Sequence, residues 1–437
     1  MDMDGGRRVF HRLGPSSSAD NSNNSNNKQQ KVCFHWRQGK CTRFPCPFLH
    51  SELPTAANGK RPHQGFGAEE NHRGGGGGLR RSYNFSNNTN NHSWERGQSA
   101  QSGSTSRSYV KKIEKLCNHW LQSNCKFGDN CKYLHQWSTG GCFSLLAPLE
   151  GHQQVVTGIV LPSGTDKLYT GSQDETVRVW DCQSGQLAGL INTGGSVGCM
   201  LSEGPWVFVG LTNLVKAWNI QTSAELNLNG PVGQVYSLVV GNELLFAGTQ
   251  DGTILAWKFN VAANIFEPAA SLKGHTLAVV TLVVGGNRMY SGSMDHSIKV
   301  WSLENLQCLQ TLSGHTDVVM SVLCWDQFLI SASLDKTVKV WAATETGNLE
   351  VTYTHTEDYG ILTLCGMHDS DAKPVLLCSS NDNCIRAYDL PSFSERGKIL
   401  SKKEVRAIQI GPGGLFFTGD GSGQVKVWKW SAEPTAK

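Results

Sequence analysis

The sequence lacks the features that mark several classes of protein. No run of about 18 apolar residues occurs among its 437 residues, so the sequence predicts no membrane-spanning helix. The opening segment, MDMDGGRRVF, has no apolar stretch of the length found in a secretory signal peptide. No phosphate-cradling loop, nucleophile elbow or open metal site is present, so the sequence predicts neither an enzyme nor a small-molecule substrate.

Acidic residues are scarce in the first third of the chain. Residues 1–140 contain 20 Lys and Arg against 9 Asp and Glu, whereas residues 141–437 contain 19 against 27. The net charge is therefore +11 in the first part and −8 in the second. This asymmetry indicates that the first part meets a polyanion such as a nucleic acid. The alternative is a solvated basic tail without a partner, and charge alone does not distinguish the two interpretations.

Cysteine is abundant, with 14 residues, but the missing signal peptide favours a reducing compartment, where metal binding is expected rather than disulfides. Six of these cysteines form two clusters that each end in Cys-x3-His. The clusters are Cys33-x7-Cys41-x4-Cys46-x3-His50 and Cys117-x7-Cys125-x5-Cys131-x3-His135. Three thiolates and one imidazole complete a tetrahedral zinc site and leave no position for a catalytic water. The sequence therefore predicts two Zn²⁺ ions, one per cluster, each required for its segment to fold.

From Gly141 onward an aromatic residue recurs at intervals of 38 to 47 residues. The seven aromatic positions are Trp180, Trp218, Trp257, Trp301, Trp341, Tyr388 and Trp428. Six residues before each lies a turn position, occupied by Asp174, Thr212, Asp251, Asp295, Asp335, Asp382 and Ser422. A period near 40, with Gly-His at the front of three repeats, is typical of the four-stranded blades of a β-propeller.

Apolar and polar residues alternate on both sides of each turn. In YTGSQDETVRVW (169–180), YSGSMDHSIKVW (290–301) and ISASLDKTVKVW (330–341), this pattern predicts strand, tight turn and strand. The Asp suits the turn because its carboxylate can accept hydrogen bonds from the backbone. The segment CFSLLAPLE (142–150) precedes the first repeat, and we expect it to complete the last blade and close the ring. The predicted fold is all-β, a seven-bladed propeller preceded by two small fingers and disordered linkers.

The repeats resemble the WD-repeat family. In that family a His, a Ser or Thr, the turn Asp and the Trp form a buried hydrogen-bonded tetrad in each well-kept blade. The sets that match every position here are His152/Thr170/Asp174/Trp180, His275/Ser291/Asp295/Trp301 and His315/Ser331/Asp335/Trp341. The resemblance implies a rigid ring that serves as a platform for protein partners. The other four repeats lack one or more members, so we expect them to be held more by apolar packing.

The two metal clusters resemble CCCH zinc fingers, a family that commonly binds single-stranded RNA by stacking exposed aromatic side chains between bases. In the second cluster Phe127 and Tyr133 match the family's stacking positions. Lys126 and Lys132 flank them, which is the combination of cation and aromatic ring that a nucleotide strand requires. The alternative is that these rings, together with Trp120, simply pack on the metal cluster.

The first cluster departs from this pattern because its second gap is one residue shorter. Arg43 stands where the second cluster has a stacking aromatic, Phe48 still matches, and Phe44 can substitute. The resemblance therefore implies zinc in both clusters and RNA contact chiefly in the second.

The order of these parts resembles the plant family of CCCH zinc-finger and WD-repeat (ZFWD) proteins. The predicted parts are a disordered tail (1–30), finger 1 (31–51), a flexible Gly/Asn/Ser-rich linker (52–110), finger 2 (111–137) and the propeller (141–437). Only six residues (136–141) separate His135 from the closing strand, so we expect finger 2 to sit against the ring with Trp137 as a contact.

The resemblance implies a nuclear or nucleocytoplasmic protein without a membrane partner. Its fingers would bind nucleic acid, preferably RNA, and its propeller would bind proteins. Two alternatives stay open. One is a DNA-binding transcriptional regulator, and the other is a protein-only scaffold, for example within a ubiquitin ligase complex.

Overall fold

The computed structural model describes residues 112–430. The predicted tail (1–30), finger 1 (31–51) and the linker (52–110) lie outside the described residues, as do residues 431–437. None of the helices in the described range is long and apolar enough to cross a membrane.

Finger 2 consists of short elements connected by turns. Its elements are β1 (Ile113–Leu116), the helix α1 (Asn118–Leu121), a 3-10 turn (Gly128–Asn130) and β2 (Tyr133–Leu134). Strands β1 and β2 pair in parallel. Two further strands, β3 (Ser138–Thr139) and β4 (Phe143–Leu149), follow and lead into the ring.

The remaining strands form six antiparallel sheets, which we number I to VI in chain order. Sheet I contains β5 (Val156–Val160), β6 (Lys167–Ser172), β7 (Thr176–Asp181) and β8 (Leu187–Asn192). Sheet II contains β9 (Cys199–Glu203), β10 (Trp206–Asn219), β11 (Glu225–Gly241), β12 (Leu244–Thr249), β13 (Ile254–Asn260) and β14 (Ile265–Leu272). Sheet III contains β15 (Val279–Gly285), β16 (Arg288–Ser293), β17 (Ile298–Ser302) and β18 (Cys308–Leu312).

Sheet IV contains β19 (Val319–Trp325), β20 (Phe328–Ser333), β21 (Thr337–Ala343) and β22 (Leu349–Thr356). Sheet V contains β23 (Ile361–His368), β24 (Pro374–Ser380), β25 (Cys384–Asp389) and β26 (Ser394–Leu400), with β3 on its outer edge. Sheet VI contains β27 (Val405–Ile410), β28 (Leu415–Asp420) and β29 (Val425–Trp430), and β4 completes it. A second 3-10 turn, Pro412–Gly414, joins β27 to β28.

The two ends of the ring meet in sheet VI. Strand β4 pairs antiparallel with β29, from Val425 opposite Leu149 to Trp430 opposite Phe143. Each sheet lies beside the next through an inner strand: β5 lies beside β9, β11 beside β15, β15 beside β19, β19 beside β23, and β23 beside β27. Strand β27 lies beside β5, so the series of sheets closes on itself. This pairing confirms the prediction that the segment before the first repeat completes the last blade. Closure removes the exposed strand edge that an open series would leave.

The described strands of the ring form six sheets rather than one for each of the seven predicted repeats. Sheet II holds the repeats of both Trp218 and Trp257. Strand β11, with 17 residues, continues from the outer strand of the Trp218 repeat into the first strand of the Trp257 repeat, so the two repeats share one sheet. Strand β10, with 14 residues, lies within the Trp218 repeat. The pairing of β10 with β11 shifts register between Thr212 and Leu214, at the turn position of the Trp218 repeat.

The members of the predicted tetrad in sheet I lie within hydrogen-bond distance of one another. His152 Nδ1 is 3.0 Å from Asp174 Oδ2, and His152 Nε2 is 2.8 Å from Thr170 Oγ1. Trp180 Nε1 donates to the same Thr170 hydroxyl at 2.9 Å. The tetrad therefore satisfies its own buried polar groups, and it connects the strands of the sheet.

The tetrad of sheet III is centred on Ser291. The Ser291 hydroxyl lies 2.7 Å from His275 Nε2 and accepts a hydrogen bond from Trp301 Nε1 at 2.8 Å. His275 Nδ1 is in turn 2.8 Å from Asp295 Oδ2. Ser291 has no exposed surface, so its hydroxyl connects two side chains inside the protein and cannot meet a ligand.

The tetrad of sheet IV repeats this arrangement. Ser331 Oγ lies 2.7 Å from His315 Nε2 and 2.8 Å from Trp341 Nε1, and His315 Nδ1 lies 2.8 Å from Asp335 Oδ2. All three predicted tetrads therefore have the hydrogen bonds that the resemblance implies.

Two of the four incomplete repeats contain polar networks that the sequence analysis did not predict. In sheet V, Tyr388 donates its hydroxyl hydrogen to Glu357 at 2.5 Å, and Arg386 pairs with Asp382 at 2.5 Å. This repeat therefore combines a polar network with the apolar cluster in which Tyr388 packs. Glu357 lies 31 residues before the aromatic residue, outside the spacing of the repeat motif, so no motif position marked it.

Sheet VI also contains a polar network, and its turn residue differs from the predicted one. Asp420 rather than Ser422 anchors the turn, because Asp420 Oδ1 accepts hydrogen bonds from the backbone N–H groups of Ser422 and Gln424. Ser401 donates to the second Asp420 oxygen at 2.7 Å. Trp428 Nε1 donates to Thr418 at 2.9 Å.

Sheet II agrees better with the expectation that incomplete repeats are held more by apolar packing. Trp257 packs within a large cluster of buried apolar side chains. Apolar packing therefore holds this aromatic residue, as predicted.

Candidate metal centre and nucleic-acid interface

The structure brings the four predicted ligands of finger 2 together. The sulfur and nitrogen atoms of Cys117, Cys125, Cys131 and His135 all lie within 4.8 Å of one another. Cys117 precedes α1, Cys131 follows the 3-10 turn, and His135 follows β2. Short elements therefore hold residues that are up to 18 positions apart around one point.

The geometry of these residues fits a zinc ion. A tetrahedral ion with Zn–S distances of about 2.3 Å separates two thiolates by about 3.8 Å. The Cys117 and Cys131 sulfurs are 3.7 Å apart. His135 Nε2 is buried and has no hydrogen-bond partner within the described chain, which leaves it able to bind a metal. Four ligands fill the coordination sphere, so the ion would organise the fold rather than catalyse a reaction.

The environment of Cys117 favours the thiolate that zinc requires. Desolvation raises the pKa of the Cys117 thiol, but nearby polar groups outweigh this effect. The backbone N–H of Trp120 and the side chains of the three other ligands together lower the pKa of Cys117 to about 6. A thiolate at neutral pH therefore forms more readily than at an ordinary cysteine.

The aromatic side chains of finger 2 separate into two groups. Trp120 stacks on the His135 ring with centroids 5.8 Å apart and contacts Trp137 at 5.4 Å, so it packs on the metal cluster. Phe127 and Tyr133 are instead 67% and 42% exposed. The packing alternative therefore holds for Trp120 but not for the two residues at the stacking positions.

The two lysines that flank these rings are also exposed. Lys126 and Lys132 each lie next in sequence to an exposed aromatic residue. Neither makes an ion pair with any described residue, so both charges are available to a phosphate backbone. A surface of flat rings and unpaired cations is what single-stranded nucleic acid requires.

The predicted tetrad residues contribute to the stability of the ring and not to a binding surface. Their hydroxyl members, Thr170, Ser291 and Ser331, have no exposed surface. Each hydroxyl is already bonded to a His and a Trp of its own set. A ligand could therefore reach none of them without opening a sheet.

Finger 2 docks on sheet V through backbone pairing. Strand β3 pairs antiparallel with β26, with Thr139 opposite Lys398 and Ser138 opposite Ile399. The approach is close at Gly140, which has φ +89°, because a Cβ atom there would overlap the carbonyl oxygen of Arg396. Glycine at this position therefore permits the contact between the two backbones.

Side chains extend this contact on both sides of β3. Leu134 of the finger packs with Cys384 and Leu400 of sheet V in a small apolar cluster. Glu114 of β1 accepts a hydrogen bond from Lys398 of β26 at 2.8 Å. The finger is thus joined to the ring by a strand pair, an apolar cluster and an ion pair.

Trp137 makes the contact predicted from the short connection and a further one that the sequence did not indicate. Its ring packs against the apolar cluster of sheets V and VI. The ammonium of Lys426 lies 4.0 Å from the centre of the same ring and 3.9 Å from Asp420. Burial lowers the pKa of Lys426 to about 8. A Lys in an alternating strand normally points to solvent, so no sequence pattern marked this residue.

Several predicted site residues lie outside the described residues. These are the finger 1 ligands Cys33, Cys41, Cys46 and His50 and the predicted contacts Arg43, Phe44 and Phe48. The second zinc ion therefore stays a prediction, as does any nucleic-acid contact of finger 1.

Comparison with known proteins matches both parts of the chain. A family model described as "WD domain, G-beta repeat" matches residues 143–181, 266–302 and 306–342. A model described as "CCCH-type zinc finger" matches residues 115–136. Among solved structures, the computationally designed Ika8 protein aligns with a TM-score of 0.52 at 23% identity. That alignment covers 65% of this chain and 99% of the designed one, and it supports the fold alone.

Several relatives match this chain over nearly its whole length. Zinc finger CCCH domain-containing protein 48 of Arabidopsis thaliana is 65% identical over 100% of this chain and 99% of its own length. Protein 63 of the same name and species is 62% identical over 100% of this chain and 99% of its own length. Zinc finger CCCH domain-containing protein 17 of Oryza sativa subsp. japonica is 60% identical over 98% of this chain and 96% of its own length. The chain therefore belongs to the plant family of CCCH zinc-finger proteins with WD repeats.

Proposed function

We propose that the protein is a zinc-dependent adaptor that binds single-stranded RNA through its fingers and other proteins through its propeller. The exposure of Phe127 and Tyr133 carries this proposal. A metal-built unit of this size has few apolar residues, and burying both rings would stabilise it. Two large rings nevertheless face solvent beside unpaired lysines. Binding of a ligand explains this exposure better than a contribution to folding does.

The proposal favours RNA over duplex DNA. The only α-helix among the described residues of finger 2, Asn118–Leu121, has four residues and is too short to read a major groove. Stacking on exposed rings requires unpaired bases, which single-stranded RNA offers. Competition between single-stranded RNA and duplex DNA for the purified protein tests this preference, and tighter duplex binding would support the transcriptional regulator instead.

The stacking assignment is tested with the double variant Phe127→Ala/Tyr133→Ala. Each stacked base contributes about 1–3 kcal/mol, so we expect affinity for single-stranded RNA to fall by about 30-fold or more. The matched control is Phe328→Ala/Tyr353→Ala, which removes a phenylalanine and a tyrosine that are 36% and 45% exposed on the propeller. Zinc content should be unchanged in both variants. Wild-type RNA affinity in the zinc-loaded finger variant would refute the assignment.

The propeller supplies the surface for protein partners in this proposal. The closed ring carries exposed leucines on two strands: Leu146 on β4 and Leu187 and Leu190 on β8, which are 53%, 45% and 51% exposed. Apolar side chains on a rigid sheet are the usual centre of a protein interface. If crosslinking in cells recovers proteins but no RNA, the protein-only scaffold is the better account.

Finger 1, the linker and sheet II complete the proposed protein. We propose that finger 1 (31–51) holds the second zinc, that the linker (52–110) lets it move, and that sheet II serves as two blades of a seven-bladed ring. Elemental analysis tests the zinc count: two ions per chain are expected, and one in the variant Cys41→Ser.

We further propose a nuclear location, which microscopy of a fluorescent fusion tests.

A further inference from the structure

A cleft of about 670 Å³ lies between finger 2 and sheet V. Tyr133 and Asn118 stand on the finger wall, and Tyr359, Asn383 and Lys402 stand on the propeller wall. The volume is within the range of about 300–1,000 Å³ that is usual for ligand sites. The docking of β3 on β26 holds the two walls in a defined position, so the cleft is part of the folded unit.

The cleft contains polar groups that the fold does not use. The side-chain amides of Asn118, Asn381 and Asn383 make no hydrogen bond to any described residue. Each amide offers two donors and one acceptor in a planar arrangement that matches the edge of a nucleobase. Three such amides around one cleft favour a ligand with planar hydrogen-bonding edges.

The free charge of the cleft is positive. Its two carboxylates are paired within the protein, because Glu114 binds Lys398 at 2.8 Å and Asp382 binds Arg386 at 2.5 Å. Lys115 and Lys402, which also line the cleft, form no ion pair with any residue in the described part of the chain. A phosphate entering the cleft would therefore meet two uncompensated cations and no free carboxylate.

Each wall carries one exposed aromatic ring. Tyr133 is 42% exposed and Tyr359 is 43% exposed, and both line the cleft. Tyr133 is also one of the two proposed stacking residues of finger 2. A strand that stacks on Phe127 and Tyr133 therefore reaches the mouth of the cleft without leaving the finger surface.

We propose that the cleft is a second part of the RNA site, in which the strand bound by finger 2 continues along the propeller. Tyr359 stacks a base, Lys402 contacts a phosphate, and the amides of Asn381 and Asn383 meet base edges. This inference rests on the proposed RNA binding of finger 2. It adds that a WD-repeat ring, and not the finger alone, determines the length and base preference of the bound strand.

The test uses the full-length protein and a mixed-sequence single-stranded RNA of about 12 nucleotides, a length in the usual range for such sites. We expect Tyr359→Ala/Lys402→Ala to bind this RNA about 10-fold more weakly than wild type, because one stacked base and one phosphate contact are lost. The slope of log affinity against log salt concentration should fall by about 0.7 for the lost phosphate contact. The control Tyr353→Ala/Lys273→Ala makes the same chemical changes at exposed positions of sheet IV and the segment before sheet III, and it should bind like wild type.

Crosslinking provides a second measurement that does not depend on a variant. RNA substituted with 4-thiouridine should crosslink to the tryptic peptide that contains Tyr359 (340–386) in the wild-type protein. If Phe127→Ala/Tyr133→Ala loses RNA binding while Tyr359→Ala/Lys402→Ala keeps wild-type affinity and salt slope, the cleft is not part of the site. A protein rather than RNA captured by a photoreactive group at position 359 would likewise overturn the inference. Failure of wild type to bind any single-stranded RNA would overturn the proposed function itself.

Discussion

Finger 2 and the propeller reach a stable fold by opposite means. In residues 112–137 the buried apolar side chains are Cys117, Cys131 and Leu134, of which two are metal ligands and the third packs against the ring. The propeller instead buries an aromatic or aliphatic side chain in nearly every strand and closes its own edges. A unit organised by an ion does not need its aromatic residues as a core, so it can present Phe127 and Tyr133 to a ligand.

The largest effect should follow removal of the zinc. The ion contributes about 10–16 kcal/mol to the folding of comparable fingers, so Cys125→Ser should unfold finger 2. The propeller should stay folded, because its sheets contain no ligand of this site. Hydrogen exchange of the amides in β1 and β2 reports the finger, and far-UV circular dichroism reports the sheets. A collapse of both signals together would show that the two regions are one cooperative unit.

The next largest effect should come from a tetrad in the ring. Ser331 is fully buried and bonds both His315 and Trp341. Its removal in Ser331→Ala leaves two buried polar groups without a partner, and we expect a loss of about 2–4 kcal/mol in unfolding free energy. Zinc affinity should not change. Ser313→Ala, at an exposed position in the same repeat, is the control, and equal losses in the two variants would contradict the tetrad's role.

A smaller effect should follow removal of the Trp137 side chain, which joins finger 2 to the propeller. Trp137→Ala deletes the contact with the apolar cluster and with Lys426, and we expect a loss of about 2 kcal/mol in the stability of the docked finger. Hydrogen exchange should show faster exchange in β1–β3 and unchanged exchange in sheets I to IV. If β1–β3 exchange at the same rate in wild type and variant, the pairing of β3 alone holds the finger.

The smallest predicted effect is a pH dependence at the same contact. The folded pKa of Lys426, about 8, lies below the ordinary value of 10.5, so the unfolded chain binds more protons between these values. The contribution of Lys426 to stability therefore rises with pH, by about 1 kcal/mol from about pH 7.5 to about pH 9. The charged groups that act on it are Asp420 and Lys402.

The measurement for this prediction compares wild type with Lys426→Met by chemical denaturation at each pH. All other titrating groups are common to the two proteins, so the difference isolates Lys426. Wild type should gain stability relative to the variant as the pH rises. A difference that stays constant across the range would show that Lys426 is not desolvated in solution.

The features that could be predicted from the sequence are those for which chemistry requires particular residues at particular spacings. The ligand set that ends at His135 and the tetrads centred on Ser291 and Ser331 each follow from a local pattern, because metal coordination and a buried hydrogen-bond chain tolerate few substitutes. Ring closure by residues 142–150 also followed from the sequence, since the last repeat lacked its outer strand. The network of Glu357 and Tyr388 escaped prediction because Glu357 lies 31 positions before Tyr388 and at no position of the repeat motif.

The sequence by itself determined which residues can bind a metal, which hairpins form the ring and where the ring closes, because spacing and alternation encode these locally. Only the tertiary structure decided that Trp120 turns toward the metal while Phe127 and Tyr133 face solvent, and that two repeats merge in sheet II. It also decided that Lys426 lies under Trp137 and that a cleft forms beside Tyr359. The contact of Lys426 with Trp137 and the cleft depend on how finger 2 packs on sheet V, and the merging of the two repeats depends on the pairing within sheet II. Each is a balance of packing and desolvation between residues that are distant in the chain.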